Sequence, residues 1–123
     1  MSATVIIPTT GSRELYQAIE SVLKQTYPTT CYVVADGPEY VHTVKMTIKA
    51  LEHKNIDTSK IKLCNLPINV GAKGFYGHRV YAAFTHLVDT DYVMYLDQDN
   101  WLYDSHVRQC VETIETRNRS EEH

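Results

Sequence analysis

Residues 4–28 read TVIIPTTGSRELYQAIESVLKQTYP and predict a strand, a short loop and a helix in succession. The run TVIIP is β-branched and apolar, as expected of a strand that is buried on both faces. Behind the loop, Leu15, Ile19 and Val22 recur at helical spacing, and the helix ends before Pro28. A buried strand followed directly by an amphipathic helix is the repeating unit of parallel α/β sheets.

The same alternation continues along the chain. Three further apolar runs predict strands at Cys31–Ala35, Ile61–Leu66 and Tyr92–Leu96, and each is followed by apolar residues at helical spacing. The residues expected to face inward from these helices are Val41, Val44, Ile48 and Leu51, then Val80, Ala83, Phe84, Leu87 and Val88, then Val107, Cys110, Val111 and Ile114. We therefore expect one α/β domain over residues 1–118, a Rossmann-like βαβ sandwich of about four βα units with a mainly parallel sheet, and a frayed charged tail over residues 119–123.

Composition excludes several classes of protein. The 123 residues carry 12 basic and 15 acidic side chains, and the lysines and arginines are scattered, so no basic patch for nucleic acid is expected. No apolar run approaches the roughly 20 residues that span a bilayer, and the first residues lack the pattern of a signal peptide. The three cysteines are far apart and predict buried thiols in a reducing compartment. We expect a cytoplasmic protein, or one at a membrane surface, with no transmembrane segment.

Polar residues follow each predicted strand. In open parallel sheets, ligands bind outside the carboxyl ends of the strands, where the strand order reverses. The residues at these ends are Thr9 and Thr10, Asp36, the loop 67–77, and the segment 97–100. Together they predict a nucleotide site.

The segment Asp97-Gln98-Asp99 suggests a metal site. Side chains at positions i and i+2 of an extended turn lie on the same side, so the two carboxylates can face one cation, and oxygen ligands favour Mg²⁺ or Mn²⁺. The alternative is an ordinary acidic turn or helix cap. Because the segment follows an apolar strand, the two like charges favour a cation. An EF-hand is excluded, since Leu102 stands where that loop needs glycine and Arg108 where it needs glutamate.

The glycine loop is expected to hold an anion. Gly71, Gly74 and Gly77 have the order G-x-x-G-x-x-G, which matches neither the dinucleotide fingerprint nor the Walker loop. Glycines let the backbone approach an anion, the following helix offers free N–H groups, and Lys73 and Arg79 supply positive charge. A diphosphate fits this loop; a flexible surface loop with incidental cations is the alternative.

The exits of the first two strands leave two interpretations open. Asp36 could bind a base or ribose through its carboxylate, or cap the helix that follows. Thr9 and Thr10 could contact the nucleoside, or cap the first helix together with Ser12.

Five segments in order carry a family resemblance: VIIPTT, AIESVLKQTYP, VVADGP, GHRVYAAF and YVMYLDQDNWL. Over about Thr4 to Thr116, the sequence resembles the nucleotide-binding N-terminal half of a family 2 glycosyltransferase with the GT-A fold. The resemblance implies inverting transfer of a sugar from a nucleotide diphosphate donor, commonly UDP-linked, with a divalent metal.

The resemblance also implies roles for single residues. Asp36 resembles the acid that recognises the base, although the family often has two adjacent acids there. Thr9 resembles a residue that lines the nucleoside, and Arg79 the basic residue that approaches the diphosphate. Asp97 resembles the acid near the ribose, and Asp99 the residue that holds the metal.

The family's acceptor half has no counterpart in this sequence. Family members are generally much longer, and the remaining part supplies the acceptor pocket and the general base. No base is named, because Asp104, Glu112 and Glu115 resemble capping or solvent-facing residues. We therefore expect a donor-binding domain that is truncated or unusually short, with an unknown acceptor.

Two other functions and one assembly stay open from the sequence. The first function is a non-catalytic nucleotide-binding or interaction module. The second is a nucleotidyltransferase, against which the lack of a basic G-x-G loop after the first strand argues. An uncovered apolar edge would favour a homodimer.

Overall fold

A computed structural model describes residues 1–71 and 77–121 of the chain. Its centre is a four-stranded sheet in which every pair is parallel. The strands are β1 (Ala3–Thr9), β2 (Thr29–Ala35), β3 (Ile61–Asn65) and β4 (Tyr92–Tyr95). The helices are α1 (Leu15–Leu23), α2 (Val41–His53), α3 (His78–Phe84) and α4 (His106–Glu121), with a 3₁₀ turn at Pro38–Tyr40 before α2. The predicted α/β fold with a parallel sheet is confirmed.

The strand order is β3-β2-β1-β4. The chain therefore moves outward from β1 through β2 to β3 and then returns to the other side of β1 to form β4. The order reverses between β1 and β4, and their carboxyl ends lie next to each other. This is the position at which open α/β sheets bind ligands.

Helices cover both faces of the sheet. Because side chains alternate along a strand, Val5 and Ile7 point to one face and Ile6 to the other. The first face packs against α1, α2 and α4 in the larger core cluster. On the second face, Val80 and Phe84 of α3 pack against Ile6 and the β2 strand in a smaller cluster. Because the run in β1 is continuously apolar, both faces of the sheet carry apolar side chains, and helices pack on both.

Three predicted inward positions are wrong, because Ala83, Leu87 and Ile114 are exposed. Leu87 is 64% exposed, because α3 ends at Phe84 and the Leu87 N–H donates to the Phe84 carbonyl at 3.0 Å in a tighter turn. That turn carries Leu87 away from the apolar side of the helix. Ile114 is 44% exposed, since it lies nearly one turn beyond Val111, the last residue of α4 that packs into the core cluster.

The cysteines are free thiols. Cys31 is buried, whereas Cys64 and Cys110 are half-buried. Burial raises the pKa of Cys31 to about 12, so this thiol stays protonated. Within the described residues, no helix has both the length and the apolar character to cross a membrane.

Candidate functional site

A cleft of about 900 Å³ opens at the carboxyl ends of the strands, next to the point where the strand order reverses. It is lined by the loop after β1, the loop after β2, the loop before α3, α3 itself and the loop after β4. The lining residues are Pro8, Thr9, Thr10, Ser12, Glu14, Asp36, Glu39, Tyr40, Asn69, Gly71, Gly77, His78, Tyr81, Asp97, Gln98 and Asp99. Its volume is in the range of pockets that hold small molecules.

Gln98 joins the two strand exits on either side of the switch point. Its Oε1 accepts hydrogen bonds from Thr9 Oγ1 at 2.7 Å, from the Thr10 N–H at 3.0 Å and from the Ser12 N–H at 3.4 Å. Its Nε2 donates to Thr10 Oγ1 at 2.9 Å. The side chain of Gln98 thus holds the loop after β1 against the loop after β4.

The Thr9 hydroxyl is part of this connection. It donates to Gln98 and accepts the Gly11 N–H at 2.9 Å. Gly11 has a φ of 73°, a left-handed conformation that glycine adopts readily, and this turns the loop back toward Thr9. Both hydrogen bonds of the buried Thr9 hydroxyl therefore stabilise the shape of the loop.

Asp36 holds the start of the glycine loop. Its side chain is only 5% exposed, and its two carboxylate oxygens accept the N–H groups of Val70 at 2.7 Å and Gly71 at 2.8 Å. The Asn69 side-chain amide donates to the Asp36 carbonyl at 2.7 Å and also to Glu39. These bonds compensate the burial of the carboxylate and fix the loop against the end of β2.

Tyr81 links α3 to the acidic segment. Its hydroxyl donates to Asp97 Oδ1 at 2.7 Å. Burial raises the pKa of Tyr81 well above its ordinary value, and the hydrogen bond to Asp97 and the charges of Asp97 and Asp99 raise it further. The charges of both Asp97 and Asp99 thus act on this phenol, and all three residues line the cleft.

The described lining is strongly acidic. It contains the carboxylates of Glu14, Asp36, Glu39, Asp97 and Asp99, and among the lining residues that the structure describes His78 is the sole basic side chain. An anionic ligand would meet repulsion here unless a cation or other positive groups offset it. Asp97 and Asp99 are both exposed to the cleft and can offer carboxylate oxygens to such a cation.

The donor set fits a hard divalent cation. Mg²⁺ is usually held by one or two carboxylates, with water and substrate phosphates at the other positions. Within residues 1–71 and 77–121, no group of three or more His, Cys, Asp or Glu side chains is arranged to hold a metal ion. Asp97 and Asp99 supply the one or two carboxylates that such a cation uses.

The structure brings most of the expected site residues together. Thr9, Asp36, Asp97 and Asp99 all line the cleft. Arg79 lies exposed in the first turn of α3, directly after the lining residue His78, and is not itself part of the described lining. The expected phosphate contact Lys73 lies outside the described residues, as do Gly74 and the rest of residues 72–76 of the glycine loop.

Gln98, Asn69 and Tyr81 are among the lining residues that the sequence does not single out. Local patterns place Gln98 in a turn, Asn69 in a loop and Tyr81 on a helix, and they predict no contact for any of the three. Each acts through hydrogen bonds to residues that are distant in sequence. No local signal in the sequence indicates these contacts, because each depends on which strands and loops lie side by side.

Comparison with known proteins identifies the family. The model of glycosyl transferase family 2 matches residues 4–120, nearly the whole chain. The chain therefore belongs to glycosyl transferase family 2, which confirms the resemblance seen in the five sequence segments. No curated protein sequence matches the chain.

A solved structure shows the same fold. The chain is similar to the crystal structure of S. aureus TarS 1-349, with a TM-score of 0.70 and 21% sequence identity. The match covers 94% of this chain and 33% of the TarS chain, so this chain spans about a third of the length of that structure. The likeness supports the GT-A architecture of the sheet and its helices.

Proposed function

We propose that this protein binds the nucleotide diphosphate part of a sugar donor in the cleft, together with Mn²⁺ or Mg²⁺. The observation that carries the proposal is the meeting of Asp97 and Asp99 with the loops after β1 and β2 at the switch point of a family 2 fold. Ligands of open α/β sheets bind at this position. The choice of a UDP-linked donor rests on the family resemblance.

The proposed nucleoside end lies between the loops after β1 and β2. Thr9 and Asp36 line the cleft there; Thr9 accepts the Gly11 N–H of its own loop, and Asp36 accepts the N–H groups of Val70 and Gly71 in the glycine loop. A carboxylate oxygen can accept more than one hydrogen bond, so Asp36 can also face the base. Asp36 then has two compatible roles, as an anchor of the glycine loop and as a contact to the nucleoside.

The proposed diphosphate end lies between the acidic segment and α3. Asp99, with Asp97, would hold the cation, which neutralises negative charge on the departing diphosphate. Lys73 and Arg79 are proposed to approach the phosphates from the glycine loop and the start of α3. The acidic lining supports the need for a cation, since a diphosphate alone would be repelled by the carboxylates.

We propose inverting transfer of the sugar to an acceptor as the reaction to which this binding contributes. Asp104 and Glu112 are exposed and lie outside the described lining of the cleft, so neither is proposed as the general base. The main alternative stays a nucleotide-binding module without transfer, and membership of the family argues against a nucleotidyltransferase. A cytoplasmic location and a homodimer stay predictions.

Nuclear magnetic resonance tests where the nucleotide binds. The ¹⁵N-labelled protein is titrated with UDP in the presence of Mg²⁺, which is diamagnetic. We expect the largest chemical-shift changes at the amides of Thr10, Gly11, Gly71, Gln98 and Asp99.

The exposed side of α4 provides the internal control. Amides of Glu112, Thr113 and Arg117 lie away from the cleft and should keep their chemical shifts. Shifts that concentrate on α4, or that are absent at saturating UDP, would contradict the proposed site.

A further inference from the structure

Gln98 makes a set of hydrogen bonds that the proposed roles of its neighbours do not explain. Four contacts of its side chain reach Thr9, Thr10 and Ser12, which lie 86 to 89 residues earlier in the chain. Both ends of its amide are used, the oxygen as acceptor and the nitrogen as donor. An amide can do both at once, with its two groups on different atoms.

The position of Gln98 explains why its hydrogen bonds matter for the shape of the cleft. It stands between Asp97 and Asp99 in a tight turn, which the Asn100 N–H closes on the Asp97 carbonyl at 3.0 Å, and all three residues line the cleft. The hydrogen bonds of Gln98 to the loop after β1 therefore hold this turn, and with it the two aspartates, at the edge of the cleft. Tyr81 of α3 also holds Asp97, because its hydroxyl donates to Asp97 Oδ1.

We infer that Gln98 is a positioning residue that couples the nucleoside end of the cleft to its metal end. This inference rests on the proposed function. Its bonds keep Thr10 and Ser12 at a set distance from the two carboxylates, so that a nucleoside diphosphate can touch the loop after β1 and a cation on Asp99 at the same time. The cation then strengthens nucleotide binding because both contacts are made by one ligand.

Gln25 provides a matched control. It is a second half-buried glutamine whose side chain joins distant segments: Nε2 donates to the carbonyls of Ser21 at 2.9 Å and Tyr103 at 2.6 Å, and Oε1 accepts the Val107 N–H at 3.0 Å. Gln25 is not among the lining residues of the cleft. The same substitution at the two glutamines therefore separates a loss of stability from a loss of coupling.

The experiment compares Gln98→Met with Gln25→Met. Methionine keeps the length of the side chain and removes its hydrogen bonds. The dissociation constant for UDP is measured by calorimetry with Mn²⁺ and with EDTA, well below the melting temperature of each variant. The ratio of the two constants gives the metal enhancement, which a general loss of stability does not change.

We expect Gln98→Met to reduce the metal enhancement by about tenfold, the factor that 1.4 kcal/mol represents, and Gln25→Met to leave it within about twofold. Gln98→Asn keeps the polar amide and shortens its reach, so it provides a second variant that should lose enhancement in the same direction. Equal metal enhancement in the Gln98 and Gln25 variants would overturn the role of Gln98 and would leave the proposed function standing. If the parent protein binds no UDP in either condition, the proposed function is wrong, and this role is wrong with it.

Discussion

The Tyr81 hydroxyl donates a hydrogen bond to Asp97 Oδ1 at 2.7 Å. This contact joins α3, which follows the glycine loop, to the acidic segment that follows β4. It occupies one oxygen of Asp97, and this residue lines the cleft. Because the pKa of Tyr81 is raised, the phenol stays protonated at neutral pH and remains a donor.

Tyr81→Phe is expected to weaken metal-dependent UDP binding. A hydrogen bond to a charged group is worth about 1.5–3 kcal/mol, so the dissociation constant should rise by about tenfold or more. Calorimetry with Mn²⁺ measures this. Tyr95→Phe is the matched control, because the two rings are in contact at 4.7 Å between centroids while the Tyr95 hydroxyl bonds to Thr85 instead. An equal loss in both variants would mean that ring packing, rather than the bond to Asp97, matters.

Asp99→Ala is expected to abolish the metal dependence of nucleotide binding. The substitution removes a proposed cation ligand from an exposed position, so the fold should persist. Equilibrium dialysis of Mn²⁺ with UDP measures the effect. Glu112→Ala, at an exposed position of α4, should bind as the parent does. If Asp99→Ala also binds as the parent does, the metal site lies elsewhere.

Gly37→Ala is expected to destabilise the protein by about 1–3 kcal/mol. Gly37 has a φ of 135°, and a Cβ there would lie 2.1 Å from Asn69 Nδ2, which donates to the Asp36 carbonyl. The added methyl group would strain the backbone and displace the loop that Asp36 holds. Urea unfolding gives the free energy. Lys49→Ala on the exposed side of α2 should change it by less than about 0.5 kcal/mol, and an equally small change at Gly37 would show that the loop adjusts freely.

Tyr92→Phe should reveal a pH-dependent contribution to stability. Tyr92 donates to Glu115, and this bond, more than its burial, raises the pKa of Tyr92 from an ordinary value of about 10 to about 12. A raised pKa in the folded state means that the contribution is complete below pH 10 and is lost as the pH rises through 12. The difference in unfolding free energy between parent and variant should therefore be constant near neutral pH and shrink above pH 10.

Chemical denaturation at a series of pH values measures the Tyr92 difference. The exposed Tyr103 provides the control, since Tyr103→Phe should show no corresponding change in slope above pH 10. A Tyr92 difference that stays constant through this range would contradict the assigned hydrogen bond.

The sheet could be predicted from the sequence because its strands are continuous apolar runs. Val5, Ile7 and Val33 are fully buried, and such runs occur in few other settings than a covered parallel sheet. The ends of the elements were harder to predict. Leu87 continues the apolar spacing of α3, but a local turn after Phe84 overrides the pattern.

The candidate site was predictable where it depends on strand ends and much less where it depends on long-range contacts. Asp36, Asp97 and Thr9 follow apolar runs directly, so their meeting at one edge follows from a parallel sheet. The roles of Gln98 and Asn69 depend on which strand lies beside which. The strand order reverses between β1 and β4, and no local spacing in the chain states that order.

Calorimetric titration of the protein with UDP and with GDP, each with Mn²⁺ and again with EDTA, tests the central claim most directly. The account predicts that UDP binds with Mn²⁺ and that EDTA weakens or removes this binding, with GDP binding more weakly. The absence of binding by either nucleotide in the presence of Mn²⁺, or binding that EDTA leaves unchanged, would contradict a metal-dependent donor site in this cleft.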